Sequence, residues 1–133
     1  MFLLDTAAIS ELDCPTPNPG LTSWLSSVEW IDLHLSVISV AEMWQGIVRL
    51  PEGKKRRALE ASFYMIRDRF PGRILDLNFA VAAQYGEIQA RFGPLPVMDA
   101  LIGATALINH LTVVTRNTAD IGRTGARIHD PWV

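Results

Sequence analysis

The chain has 133 residues and is 49% hydrophobic, which fits one domain with a real core and excludes a disordered polymer. Its net charge of -2 excludes uniform coating by nucleic acid. A single cysteine, Cys14, excludes an internal disulfide and makes an intracellular compartment, the cytoplasm, the default expectation.

Met1 to Leu4 reads as a short buried strand, and Asp5 with Thr6 is placed to cap the helical turn through Ile9 to Leu12. No positively charged n-region precedes a long apolar stretch, and no run approaches the roughly 18 apolar residues of a membrane span. The prolines and glycine of Cys14 to Gly20 break regular structure, and Leu21 to Val28 predicts a second short helix. Leu33, Leu35 and Val37 alternate with His34 and Ser36 as a strand does. Ser39 then begins a helix with Val40, Trp44, Ile47 and Val48 at helical spacing, stopped by Pro51 and Gly53.

The next helix carries Leu59, Phe63, Ile66 and Phe70 on one stripe, so that these two helices form a hairpin. The chain's charge is uneven here. Residues 49–73 hold Arg49, Lys54, Lys55, Arg56, Arg57, Arg67, Arg69 and Arg73 against Glu52, Glu60 and Asp68, and the remainder is acidic. One basic face and one acidic pocket suit a polyanion held near bound cations.

Pro71-Gly72 ends the hairpin. Arg73 to Leu77 is a third candidate strand, interrupted by Asp76, and residues 79–92 read as a helix. After Gly93-Pro94-Leu95-Pro96 comes a helix apolar nearly all round, from Met98 to Ile108, the pattern of a buried helix. Leu111 to Thr115 is the clearest internal strand, and Arg127 to His129 supplies a last edge. Alternating strands and helices imply an α/β fold around a mostly parallel sheet of four or five strands, covered on both faces.

Four acids, Asp5, Glu42, Asp99 and Asp120, stand where apolar strand-like or buried runs give way to helix starts. In a doubly wound α/β fold such junctions share one edge, so acids scattered in sequence converge in one crevice. Each has a bland explanation, because a carboxylate near a helix amino terminus gains about 0.3 to 1 kcal/mol. Ser39-Val40-Ala41-Glu42 matches a capping box, and Asn117 is placed to cap the helix holding Asp120. Gathered together, however, carboxylates at about 4 Å repel by roughly 4 kcal/mol per pair at a surface-like dielectric. A divalent cation offsets that, and oxygen donors with few histidines favour Mg2+ or Mn2+ over zinc.

Leu4-Asp5-Thr6 with Ile9-Ser10-Glu11, then Ser39-Val40-Ala41-Glu42, then Met98-Asp99-Ala100, then Thr115 to Asp120 and the closing Asp130-Pro131-Trp132 resemble a PIN-domain ribonuclease of the VapC or FitB type, toxins of bacterial toxin-antitoxin modules. The resemblance runs nearly end to end and implies one three-layer α/β/α PIN-like domain over residues 1–133. It implies that Asp5, Glu42, Asp99 and Asp120 bind Mg2+ or Mn2+ and hydrolyse RNA phosphodiesters, with Asp5 and Asp99 the strongest candidates for direct ligands. It also implies a homodimer and a small DNA-binding antitoxin whose tail fills the groove beside the acids. By their place in the chain Thr6 and Asn117 are supporting candidates, with helix capping as the bland alternative for Asn117, and Lys54, Lys55, Arg56, Arg57 and Arg116 are candidate RNA contacts, with a solvated surface as theirs. There is one departure: Ala7 follows Thr6 where these toxins commonly carry asparagine, so an amide contact near the first acid is missing.

Two alternatives stand beside this reading. A catalytically degenerate PIN-like module kept for protein binding is compatible with Ala7, though retention of all four acids argues against it. An aspartate-based Mg2+ phosphotransfer domain fits worse: receiver domains would carry a second acid beside Asp5, and dehalogenase-like phosphatases an acid at position 7. Trp24, Trp30 and Trp44 offer apolar surface, most of it core. His34, His110 and His129 lack metal-site spacing. No phosphate-binding glycine loop is present.

Overall fold

A computed structural model describes residues 1–133. The chain runs β1 (Phe2–Leu4), α1 (Thr6–Leu12), α2 (Pro19–Ser27), β2 (Leu33–Ser36), α3 (Val37–Val48), α4 (Lys54–Tyr64), α5 (Ile66–Arg69), β3 (Ile74–Leu75), α6 (Phe79–Phe92), α7 (Val97–Asn109), β4 (Thr112–Val114), α8 (Thr118–Gly122) and β5 (Ile128–His129). All five strands are parallel, in the order β3-β2-β1-β4-β5. The expectation of a mostly parallel sheet of four or five strands is therefore met by its upper count.

Alternation along the strands sorts the core into two faces. Leu4, Leu33, Leu35 and Val114 join Ile9 and Leu21 on one face, while Leu3 and Val113 join Ile102, Ala106 and Ile121 on the other. Each fully buried leucine or isoleucine contributes about 1.5–3 kcal/mol. α7 is apolar all round because it lies between layers: Ile102 and Ala106 meet the sheet, whereas Ala100 and Ala104 pack with Val81 and Ile88 of α6. Gly103 lets α7 approach the chain after α8, since a Cβ there would strike the Thr124 side chain.

Two boundaries differ from the periodic reading. The stripe Leu59, Phe63, Ile66, Phe70 spans two helices, because the chain breaks at Met65 between α4 and α5, although Ile66 and Phe70 still enter the core. α3 begins at Val37 and not at Ser39. Its cap is Ser36, the last residue of β2, whose side chain accepts from the Ile38 N–H at 3.0 Å. The capping box read into Ser39 and Glu42 is therefore absent, and Glu42 lies beyond the first turn, where the helix dipole stabilises it little.

The order β3-β2-β1-β4-β5 reverses direction at β1, so the carboxyl ends of β1 and β4 open onto a switch-point crevice. No helix is long and apolar enough to cross a membrane.

Candidate active site

Asp5 follows β1 and caps α1, accepting from the Ala8 N–H at 2.9 Å. Register places it beside Thr115, because Leu4 pairs with Val114 and the Asp5 N–H donates to the Val114 carbonyl. The Thr115 hydroxyl, which accepts from the Asn117 N–H at 2.9 Å, favours the charged form of the Asp5 carboxyl. Glu42, on α3, accepts from Thr6 Oγ1 of α1 at 2.7 Å. Asp99, in the first turn of α7, accepts from Asn117 Nδ2 at 2.9 Å. Asp120 lies in the first turn of α8.

The four carboxylates occupy one electrostatic environment. Burial pushes the Asp5 carboxyl above its ordinary value, opposed by the Thr115 hydroxyl and the Ala8 N–H and reinforced by the charges of Asp99 and Glu42. Burial also raises Asp99, and Asp120 and Glu42 raise it further, against the Asn117 amide. None of the four acids forms an ion pair with lysine or arginine. Neutral donors orient three of them and leave their mutual repulsion uncompensated.

That chemistry fits a hard divalent cation. The donors are carboxylates, with no thiol or imidazole among them, and no three of them stand close enough together to hold a metal ion as a group. Mg2+ is commonly held by one or two carboxylates while keeping several waters, so an open donor set suits it.

Asn117 sits at the amino terminus of α8, but its side chain makes no capping bond. The expected cap is instead a clamp on Asp99. Ala7 is exposed, so the residue that departs from the toxin pattern lies on the surface. Thr115 escaped the sequence reading because a threonine closing a β-branched run looks like strand composition. The signal that finds it is register, which sets it level with Asp5.

Beside Glu42 a groove of about 350 Å³ runs between α1, α3 and α4, lined by Thr6, Glu42, Lys55, Met43, Leu59 and Phe63 among others. Of the basic run, Lys54, Lys55 and Arg57 are exposed, and Lys55 reaches this groove. Arg56 does not join them as a free cation. It is held by Glu60 at 2.7 Å, Glu52 at 3.3 Å and the Leu50 carbonyl at 3.2 Å. Arg116 is exposed with its guanidinium 5.8 Å from the Trp132 ring centre. Trp24 packs edge-on against Phe2, and Trp44 lies 4.8 Å from Phe63 across the α3-α4 hairpin.

Fold and site together define an α/β domain with an acidic crevice at the switch point of a parallel sheet. The chain belongs to the PIN domain family, which residues 2–126 match. It is 38% identical over 137 residues to Toxin FitB of Neisseria gonorrhoeae, covering 99% of both proteins. It is 29% identical to VapC ribonuclease Y4jK of Sinorhizobium fredii, covering 99% of this chain and 98% of that one. Among solved structures, that of FitAcB from Neisseria gonorrhoeae superposes with a TM-score of 0.92 at 37% identity, covering 99% of both chains.

Proposed function

We propose that residues 1–133 form one endoribonuclease domain, a cytoplasmic toxin that hydrolyses RNA phosphodiester bonds with Mg2+ or Mn2+ and is neutralised by a cognate antitoxin. The observation carrying this reading is the gathering of Asp5, Glu42, Asp99 and Asp120 at one crevice with neutral donors and no cationic partner. Similarity to a protein described as a toxin supports the toxin half, and similarity to one described as a ribonuclease supports the RNA half.

Asp5, Glu42, Asp99 and Asp120 would hold the cation, Asp5 and Asp99 as direct ligands and Glu42 and Asp120 directly, through water, or by positioning the attacking water. When bound, a divalent cation would offset the gathered charge and lower the pKa of water at the crevice. Thr6 and Asn117 are positioning residues, each holding one carboxylate oxygen and so restricting how Glu42 and Asp99 turn, and Thr115 beside Asp5 favours that acid's charged form. Lys54, Lys55, Arg57 and Arg116 draw the RNA backbone towards an otherwise repulsive centre. The family resemblance adds a homodimer and a small DNA-binding antitoxin that covers the groove beside Glu42.

The deciding experiment measures RNA cleavage with and without Mn2+ or Mg2+ alongside an Asp99→Asn variant. Cleavage only with metal, and only by the unaltered protein, is expected. Cleavage in chelator, or full activity of the variant, refutes the assignment.

A further inference from the structure

Ser39 is fully buried, and its hydroxyl has no hydrogen-bond partner. Leaving a buried hydroxyl unpaired is unfavourable. Two ordinary explanations fail here. The amino terminus of α3 is already capped by Ser36, and the bond a helical serine often makes to the carbonyl one turn back is not formed.

Its position on α3 points to a different role. A spacing of three residues puts Ser39 on the face of Glu42, and Gly46 continues that face one turn further. This face looks toward α1, because Glu42 accepts from Thr6, and Thr6, Glu42 and Gly46 line one groove. Helical side chains lean toward the amino terminus, so the Glu42 carboxylate lies back over the turn containing Ser39. Glu42 Oε1 takes the Thr6 hydroxyl, leaving the second oxygen open to another donor.

We propose that Ser39 is a positioning residue of the acid centre, donating its Oγ–H to the second oxygen of Glu42 when a divalent cation draws that carboxylate inward. This rests on the nuclease reading above. With a cation bound, Thr6 and Ser39 would grip Glu42 from two sides. The arrangement gives Glu42 one fixed orientation without placing a positive charge in the crevice.

The test uses the full chain and Mn2+ alone as probe, comparing Ser39→Thr with Ser39→Val, two side chains of the same shape of which only one can donate. Calorimetric titration is expected to give the threonine variant the affinity of the unaltered protein. The valine variant should bind Mn2+ about tenfold more weakly, as when a group supporting a ligand is lost. Its kcat should fall while KM for RNA holds. Comparison within this pair remains valid if both variants lose some stability, which melting in chelator records. Equal Mn2+ affinity for the two overturns the role of Ser39 alone. An unaltered protein that neither binds Mn2+ nor cleaves RNA overturns the nuclease reading, and this inference with it.

Discussion

Replacing Asp99 with asparagine should stabilise the metal-free protein while abolishing cleavage. The substitution removes one charge from a site where Asp120 and Glu42 both oppose it, and keeps an oxygen for Asn117 Nδ2. Two unit charges about 4 Å apart repel by about 1 kcal/mol in water and about 4 kcal/mol at an effective dielectric near 20. Asp99 is only half-buried, so solvent screening places each pair at the low end, and two pairs sum to about 2 kcal/mol. For a domain of this size that raises the midpoint by about 6 °C. The assay is thermal unfolding in chelator at neutral pH, repeated from about 0.01 M to about 1 M salt, over which the Debye length shrinks from about 30 Å to about 3 Å. The gain should be largest at low salt and shrink at high salt. A variant that melts at or below the unaltered protein in chelator, or a gain indifferent to salt, refutes the reasoning.

Other outcomes follow from the same geometry. Because burial and neighbouring charges raise the carboxyls of Asp5 and Asp99 above 3.8, the folded state holds protons that the unfolded state has released. Their contribution to stability is therefore present below that value and lost as pH rises through the raised folded values; Asp5→Asn should flatten this part of the pH dependence in chelator, and an unchanged slope counts against it. Neutralising Lys54, Lys55 and Arg57 should reduce the salt slope of RNA binding by about 2, at about 0.7 per contact for single strands, whereas Arg56→Ala should leave the slope alone. An equal effect from Arg56 would show that the ion pairs with Glu52 and Glu60 do not hold it in solution. Gly103→Ala should cost about 1–3 kcal/mol by forcing Thr124 away from α7, read as a lower denaturant midpoint, and an unchanged midpoint would mean that the two segments separate easily.

The strands and most helices were legible because their periods differ and each burial face is distinct. Alternation in Leu33 to Ser36 and all-round apolarity in α7 point directly to the observed elements. What local patterns could not supply was the choice between two plausible partners. Ser39 and Glu42 match a capping box in sequence, yet the end of β2 sets where α3 starts, and Ser36 takes the role. Asn117 likewise suits a helix cap, but in the folded chain its amide meets an acid on another helix. Arg56 belongs by sequence to a basic run, whereas its i,i+4 neighbours Glu52 and Glu60 claim it once α4 forms. Asp5, at the end of β1, and Asp120, in the helix after β4, stand near strand-to-helix junctions, whereas Asp99 lies on a helix that follows another helix and Glu42 beyond the first turn of α3, so topology alone does not mark those two.

The strand order β3-β2-β1-β4-β5 also has a consequence during synthesis. β1 leaves the ribosome first but becomes the central strand, and its β4 neighbour is made only after three quarters of the chain's elements have appeared. Until β4 arrives, Asp5 has neither Thr115 beside it nor Asp120 in the next helix. A nascent chain therefore carries the first acids apart from the last and has no complete crevice. The topology thus delays assembly of the acidic crevice until both wings of the sheet can close around β1.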